Sequence, residues 1–207
     1  MTTPVHADEI EVRDFSVSVK NKPAGHYRMT IVDHGNGQVT MSGEASVRVN
    51  YLVYKYSYGY RGSETWQNGR LARLESASND NGKSFQVRAT PAQNGLNVEV
   101  NGRSHLSRPD AWTTTYWHSP DARFHNQAVP LLDADTGKDI SAHLQVLADQ
   151  QVNVNGQQLA CSHYRLTGNG LDVELCYDQN GRLTRQKSIE EGQPTVLELR
   201  NVQRISQ

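Results

Sequence analysis

Apolar residues recur at every second position over most of the chain, and polar residues fill the gaps. In "FSVSVKNKPAGHYRMTIVDHG", Phe15, Val17 and Val19 alternate with Ser16 and Ser18, and Tyr27, Met29 and Ile31 resume the alternation after a turn at 21–25. A period of two places alternate side chains on opposite faces of a strand, so each such run predicts a strand with one sheltered face and one wetted face. Val39 and Met41 begin the next run after His34-Gly35-Asn36-Gly37, and Val47 and Val49 continue it past Gly43. Asn-Gly pairs at 68–69, 81–82, 101–102, 155–156 and 180–181, with Gly168-Asn169-Gly170, punctuate the rest. Asn and Gly both accept the positive φ that tight hairpin turns require, so this spacing predicts consecutive antiparallel hairpins rather than βαβ units. Five strands are expected between residues 152 and 205. "DISAHLQVLADQQ" reads either as a short helix or as a further alternating strand.

The predicted fold class is therefore all-β with little helix: one large, curved antiparallel sheet, a half-barrel or open β-barrel. A single β domain is expected over residues 11–207, preceded by a flexible segment at 1–10. A length of 207 residues supports one sizeable core. The 36% hydrophobic content suits strands that give half their residues to water.

Charge narrows the choice of partner. Lys plus Arg number 21 and Asp plus Glu 22, so no basic excess is available to neutralise a phosphate backbone, and nucleic acid is not expected as a partner. No apolar run approaches the roughly 20 residues of a membrane-spanning helix. "MTTPVHADEIEV" lacks the basic start and apolar block of a secretion signal. Two readings follow: a cytoplasmic protein, or an exported chain whose leader has been replaced by Met1.

The candidate chemistry lies in two stretches. "YLVYKYSYGY" sets Tyr54, Tyr56, Tyr58 and Tyr60 on one strand face. A row of phenols suits a wall that is apolar along the rings and damp at the tips; cross-strand aromatic packing is the plainer reading. "TTTYWHSPDARFHN" concentrates Tyr116, Trp117, His118, Phe124 and His125, and it reads as a connection packing Trp112, Tyr116 and Trp117 over one end of the sheet. The expected ligand contacts are Tyr54, Tyr56, Tyr58, Tyr60, Trp66, Trp112, Tyr116, Trp117 and His118. No catalytic constellation, phosphate loop or Cys-x-x-Cys is present, and no cofactor or metal is expected. A metal set of His118, His125 and Asp121 is the remaining alternative there. Cys161 and Cys176 flank the turn at 168–170. With Gly168-Asn169 as the loop they oppose each other directly and a disulfide is feasible. With Asn169-Gly170 as the loop they are diagonal neighbours, and two free thiols are the competing reading.

The order of motifs is similar to a known family. "FSVSVKNKPAGHYRMTI", "YKYSYGYRGSETWQNGRLARLESASNDNG", "TTTYWHS", "LLDADTGK" and "ACSHYRLTGNGLDVELCYDQNGRLTRQ" together resemble the DUF6134 family of bacterial proteins over residues 12–200, with a more distant likeness to the DUF3108 exported β proteins. This chain carries Cys176 where the family generally has Trp before Tyr-Asp. The resemblance implies a strongly curved antiparallel sheet and a periplasmic or other envelope location, and carries over no catalytic residue. Three functions are weighed: a non-enzymatic binder of an apolar or amphipathic, lipid-like molecule on the concave face; an isomerase, cyclase or hydrolase of such a substrate using His118, His125, the tyrosine row and Glu64; and a structural module that forms a homo-oligomer or other assembly through a sheet edge.

Overall fold

A computed structural model describes residues 8–51, 54–190 and 192–206. Its strands are β1 (Glu9–Val19), β2 (Lys22–Asp33), β3 (Gln38–Tyr51), β4 (Tyr54–Gln67), β5 (Arg70–Asp80), β6 (Lys83–Ala92), β7 (Gly95–Val100) and β8 (Arg103–Ser107). They continue with β9 (Trp112–Thr113), β10 (Gln127–Leu132), β11 (Asp139–Val146), β12 (Gln150–Val154), β13 (Gln157–Gly168), β14 (Leu171–Tyr177), β15 (Leu183–Glu190) and β16 (Gln193–Ser206). A single 3-10 turn at Ala122–Phe124 is the only helical element among the described residues. The segment beginning "DISAHLQV" is strand β11, its alternation prevailing over any helical tendency.

All sixteen strands belong to one sheet. Its order is β8-β7-β6-β5-β4-β3-β2-β1-β16-β15-β14-β13-β11-β10-β9, with β12 beside β13. The first and last strands pair in the middle, Phe15 opposite Leu199. Pairing of β1 starts at Glu9 and Ile10, so the expected flexible segment does not reach them; its residues 1–7 lie outside the described part.

The topology forces the curvature. β8 stands at one end of the order and β9 at the other, yet only residues 108–111 connect them. Five Cα steps reach at most about 17 Å, so the two ends must lie close together. Ser107 of β8 donates to the carboxylate of Asp139 in β11, and His105 lies 3.5 Å from the same group. The sheet thus curls almost into a barrel and leaves a seam between β8 and the β9–β10 end.

One face of the curled sheet holds the core: Phe15, Met29, Met41, Leu74, Val98, Leu144, Leu166 and Leu175 are all at most 2% exposed. Gly43 and Gly62 oppose each other on β3 and β4. A Cβ on Gly43 would sit 2.6 Å from the Tyr27 hydroxyl, and one on Gly62 would sit 2.3 Å from that of Tyr60. The paired glycines make room for two large rings that meet edge to face, 6.3 Å apart.

Asn-Gly at 68–69, 81–82, 101–102 and 155–156 places both residues at positive φ, as the turn chemistry demands. The β3–β4 pairing extends to Tyr51 opposite Tyr54. No Gly or Asn lies between those two tyrosines, so "NYLVYKY" reads as unbroken strand in the sequence.

Cys161 and Cys176 form a disulfide with Cα atoms 5.4 Å apart. The register, His163 opposite Cys176, makes them diagonal neighbours and not the directly opposed pair for which the bridge was judged feasible. A register shift falls beside the bridge, between Cys176 and Tyr177 in the β14–β15 pairing.

Candidate ligand-binding site

The hollow of the curled sheet is filled by the protein itself. The β10–β11 hairpin loop, residues 133–138, turns inward: Ser76 Oγ donates to the carbonyl of Ala134 (2.5 Å) and Ser78 Oγ to that of Asp135 (2.8 Å). Tyr58 donates to both carboxylate oxygens of Asp135 at 2.9 Å. Gly137 lies where a Cβ would come within 2.4 Å of Val100. Burial, with the charge of Asp133 beside it, pushes the Asp135 carboxyl up to about 7.

The tyrosine row is corrected accordingly. Tyr58 and Tyr60 point inward as period two predicts, but Tyr60 is 5% exposed and Tyr58 is occupied by Asp135. The expected ligand wall is a packed layer under a polar loop. Tyr56 is half-buried against the core, and the side chain of Tyr54 lies outside the described residues.

The second plug is the segment after β9. Glu64, fully buried on the inward face of β4, receives four neutral donors: Trp66 Nε1 (2.8 Å), Thr113 Oγ1 (2.9 Å), Thr115 Oγ1 (2.7 Å) and Trp117 Nε1 (3.1 Å). The two threonine hydroxyls are also 3.0 Å from each other. Burial without a cation raises the Glu64 pKa, against the four hydrogen bonds that favour its anion. From the other side, Tyr177 donates to the Tyr116 carbonyl (2.9 Å) and Arg13 to that of Trp117 (2.6 Å). Tyr116 sits at φ +49°, a strained position for an aromatic residue, held by these contacts.

This knot gathers every tryptophan of the chain around one imidazole. The His118 ring lies 4.5 Å from Trp117, 4.9 Å from Trp66 and 6.1 Å from Trp112, centroid to centroid. Its Nδ1 lies 2.8 Å from the Ser119 carbonyl and so carries the hydrogen; burial lowers its pKa and keeps it neutral. Two clefts open beside the knot. The first, of about 280 Å³, is lined by Trp66, Leu71, Trp112, His118 and Phe124, with Arg70, Arg108 and Arg123 among its charged residues. The second, of about 440 Å³, follows the seam past Leu106, Val129, Pro130 and Ile140. They share Arg108, Pro109 and Phe124, so they adjoin along the seam, and together they are termed the groove.

Of the residues expected to touch ligand, Trp66, Trp112 and His118 line the groove. Tyr116 and Trp117 pack behind it, and the described tyrosines of β4 line neither cleft. His125 stacks near Tyr164, 5.4 Å away, apart from His118 in role. Among the described residues, the imidazoles that meet carboxylates are His34, His105 and His163, and no three metal-ligating side chains converge. Arg70, Arg108, Arg123, Pro109 and Leu71 escaped notice in the sequence, since nothing local marks a residue that becomes important only where two sheet edges meet. No described helix is long and apolar enough to cross a membrane, which says nothing of strands.

No curated protein matches the sequence. Among solved structures, the chain is similar to a crystal structure of a beta-barrel-like protein of domain of unknown function DUF1849 from Brucella abortus, at 9% identity and a TM-score of 0.66 over 96% of this chain and 98% of that one. It aligns more loosely with a putative outer membrane lipoprotein-sorting protein domain from Vibrio parahaemolyticus (11% identity, TM-score 0.23, 96% and 85% covered). A DUF1329 family protein from Desulfovibrio piger ATCC 29098 gives 9% identity and a TM-score of 0.19, with 97% and 86% covered. The first likeness is one of fold, and the other two superpose too poorly to bear on the chain. The sequence itself matches the model of DUF6134, a domain of unknown function, over residues 15–200, which takes in β4, the Glu64 knot and the seam, and the chain belongs to that family.

Proposed function

We propose that this protein is a non-enzymatic binder of an apolar or amphipathic, lipid-like molecule in the bacterial envelope, and that its site is the seam groove and not the hollow of the sheet. The observation that carries the reading is the pair of adjoining clefts, about 280 and 440 Å³, sharing Pro109 and Phe124 and walled by Trp66, Trp112, Leu106 and Ile140. Leu106 is 58% exposed at the groove edge. Clefts of this size with apolar walls and a few placed polar groups are the usual form of a small-molecule site. The envelope location draws support from the Cys161–Cys176 disulfide, since such bridges persist in oxidising compartments.

The test is mass spectrometry of organic extracts from the purified, natively expressed protein, with titration of a fluorescent acyl probe. A stoichiometric lipid and saturable probe binding, weakened by Leu106→Glu, are expected. Absence of both from a folded protein refutes the reading.

A further inference from the structure

The hairpin sequence Gln-Asn-Gly-Arg-Leu occurs twice, at 67–71 and 179–183, and its two arginines meet different fates. In the second copy, Asp178 stands four residues before Arg182 and binds it at 2.7 Å, while Glu11 lies 3.5 Å away on the other side. That guanidinium is neutralised in place and locks the β14–β15 turn. In the first copy, the position four residues before Arg70 is Trp66. Among the described residues Arg70 has no carboxylate partner, and it is exposed at the lip of the first cleft.

The charges of that cleft can be counted. Its lining carries Arg70, Arg108 and Arg123 against Asp110 and Asp121. Arg108 holds both oxygens of Asp110, at 3.0 and 3.2 Å, and this pairing draws the Asp110 pKa down. Arg123 lies 3.2 Å from Asp121 and over the Phe124 ring at 4.6 Å. His118 is neutral. One positive charge therefore remains unmatched in the first cleft; the second combines apolar Leu106, Pro130 and Ile140 with the Asp139 carboxylate, which is held by Ser107 and lies 3.5 Å from His105.

Resting on the reading of the groove as a ligand site, we infer that its natural ligand carries a single negative charge at one end: a monocarboxylate with an aliphatic tail. The carboxylate pairs with Arg70, whose planar fork suits two oxygens, and the tail runs past Trp112 and Phe124 into the seam. A head group with two negative charges would leave one of them uncompensated beside Asp110 and Asp121. A cationic head would face Arg70 directly.

The three tryptophans all border or back the first cleft, so intrinsic fluorescence reports its occupancy. The protein is titrated with decanoate, decanol, decyltrimethylammonium and decyl phosphate, each below its micelle-forming concentration, and the series is repeated with Arg70→Gln. Decanoate is expected to bind about tenfold or more tighter than decanol. The Arg70→Gln protein should lose that preference while keeping the wild-type affinity for decanol. Equal binding of decanoate and decanol, tighter binding of decyl phosphate, or an unchanged decanoate affinity in Arg70→Gln each overturns the single-carboxylate inference while leaving the groove as a ligand site. If no probe binds, the reading of the groove itself fails.

Discussion

Replacing Asp135 by asparagine tests whether the inward loop holds a carboxyl that is protonated near neutrality. The amide would keep an oxygen to accept from Tyr58, and the backbone contacts of the loop to Ser76 and Ser78 do not involve the side chain. The Asp135 carboxyl ionises at about 7 in the fold against 3.8 when free, because burial and the neighbouring Asp133 charge disfavour the anion. The folded pKa lies above the unfolded one, so this group penalises folding increasingly as pH rises from about 4 to 7, and the penalty is constant above. From pH 5 to pH 7 the unfolded carboxyl is already ionised while the folded one is not. Two pH units at 1.36 kcal/mol each make about 2.7 kcal/mol. Asp135 keeps part of its surface in water, so about 2 kcal/mol is the expected observable. Urea titrations at pH 5 and pH 8 would give the stability of both proteins at equal m-value. Asp135→Asn should gain about 2 kcal/mol relative to wild type on going from pH 5 to pH 8, and contributions from Glu64, His118 and the surface carboxylates cancel in that difference. A gap between the two proteins that is the same at both pH values would refute the account of the plug.

Three further outcomes follow from the packing. Glu64→Ala removes the acceptor of four buried donors and opens a cavity, and should cost about 3–5 kcal/mol in urea unfolding; a loss under about 1 kcal/mol would mean that the knot does not hold the segment after β9. The double variant Cys161→Ser, Cys176→Ser should lower stability by about 3 kcal/mol, the loop-closure value for a bridge spanning 15 residues, and it should abolish the effect of added reductant on the wild-type melting temperature. Gly25→Ala would drive a Cβ to 2.0 Å from the Ser46 carbonyl oxygen; a cost of about 2–4 kcal/mol is expected, with faster amide exchange along β2 and β3 as its local signature.

Strand content and hairpin turns were legible because they are local. Alternation at Phe15, Val17 and Val19 is a statement about neighbours, and Asn-Gly at 68–69 meets a φ requirement within two residues. The same locality hid the change from β3 to β4 between Tyr51 and Tyr54, where the sequence lacks those residues. It also left the register of the two cysteines open between alternatives, because Gly168-Asn169 and Asn169-Gly170 both satisfy the turn chemistry, and only the pairing of Gly168 with Leu171 selects the second.

What the chain's own order of residues determined, then, is a set of antiparallel ribbons with one apolar face each, since a period of two and positive-φ turn residues act over a few bonds. Only the tertiary structure decided that β1 closes against β16, that residues 133–138 fold inward to fill the hollow beside Tyr58, that Glu64 meets Thr113 and Thr115 some fifty residues away, and that Arg70, among the described residues, stands without a carboxylate where Arg182 has two. Those outcomes depend on which distant edges the curl of the sheet brings together. Curl accumulates from small twists over sixteen strands, and no short window of sequence contains it.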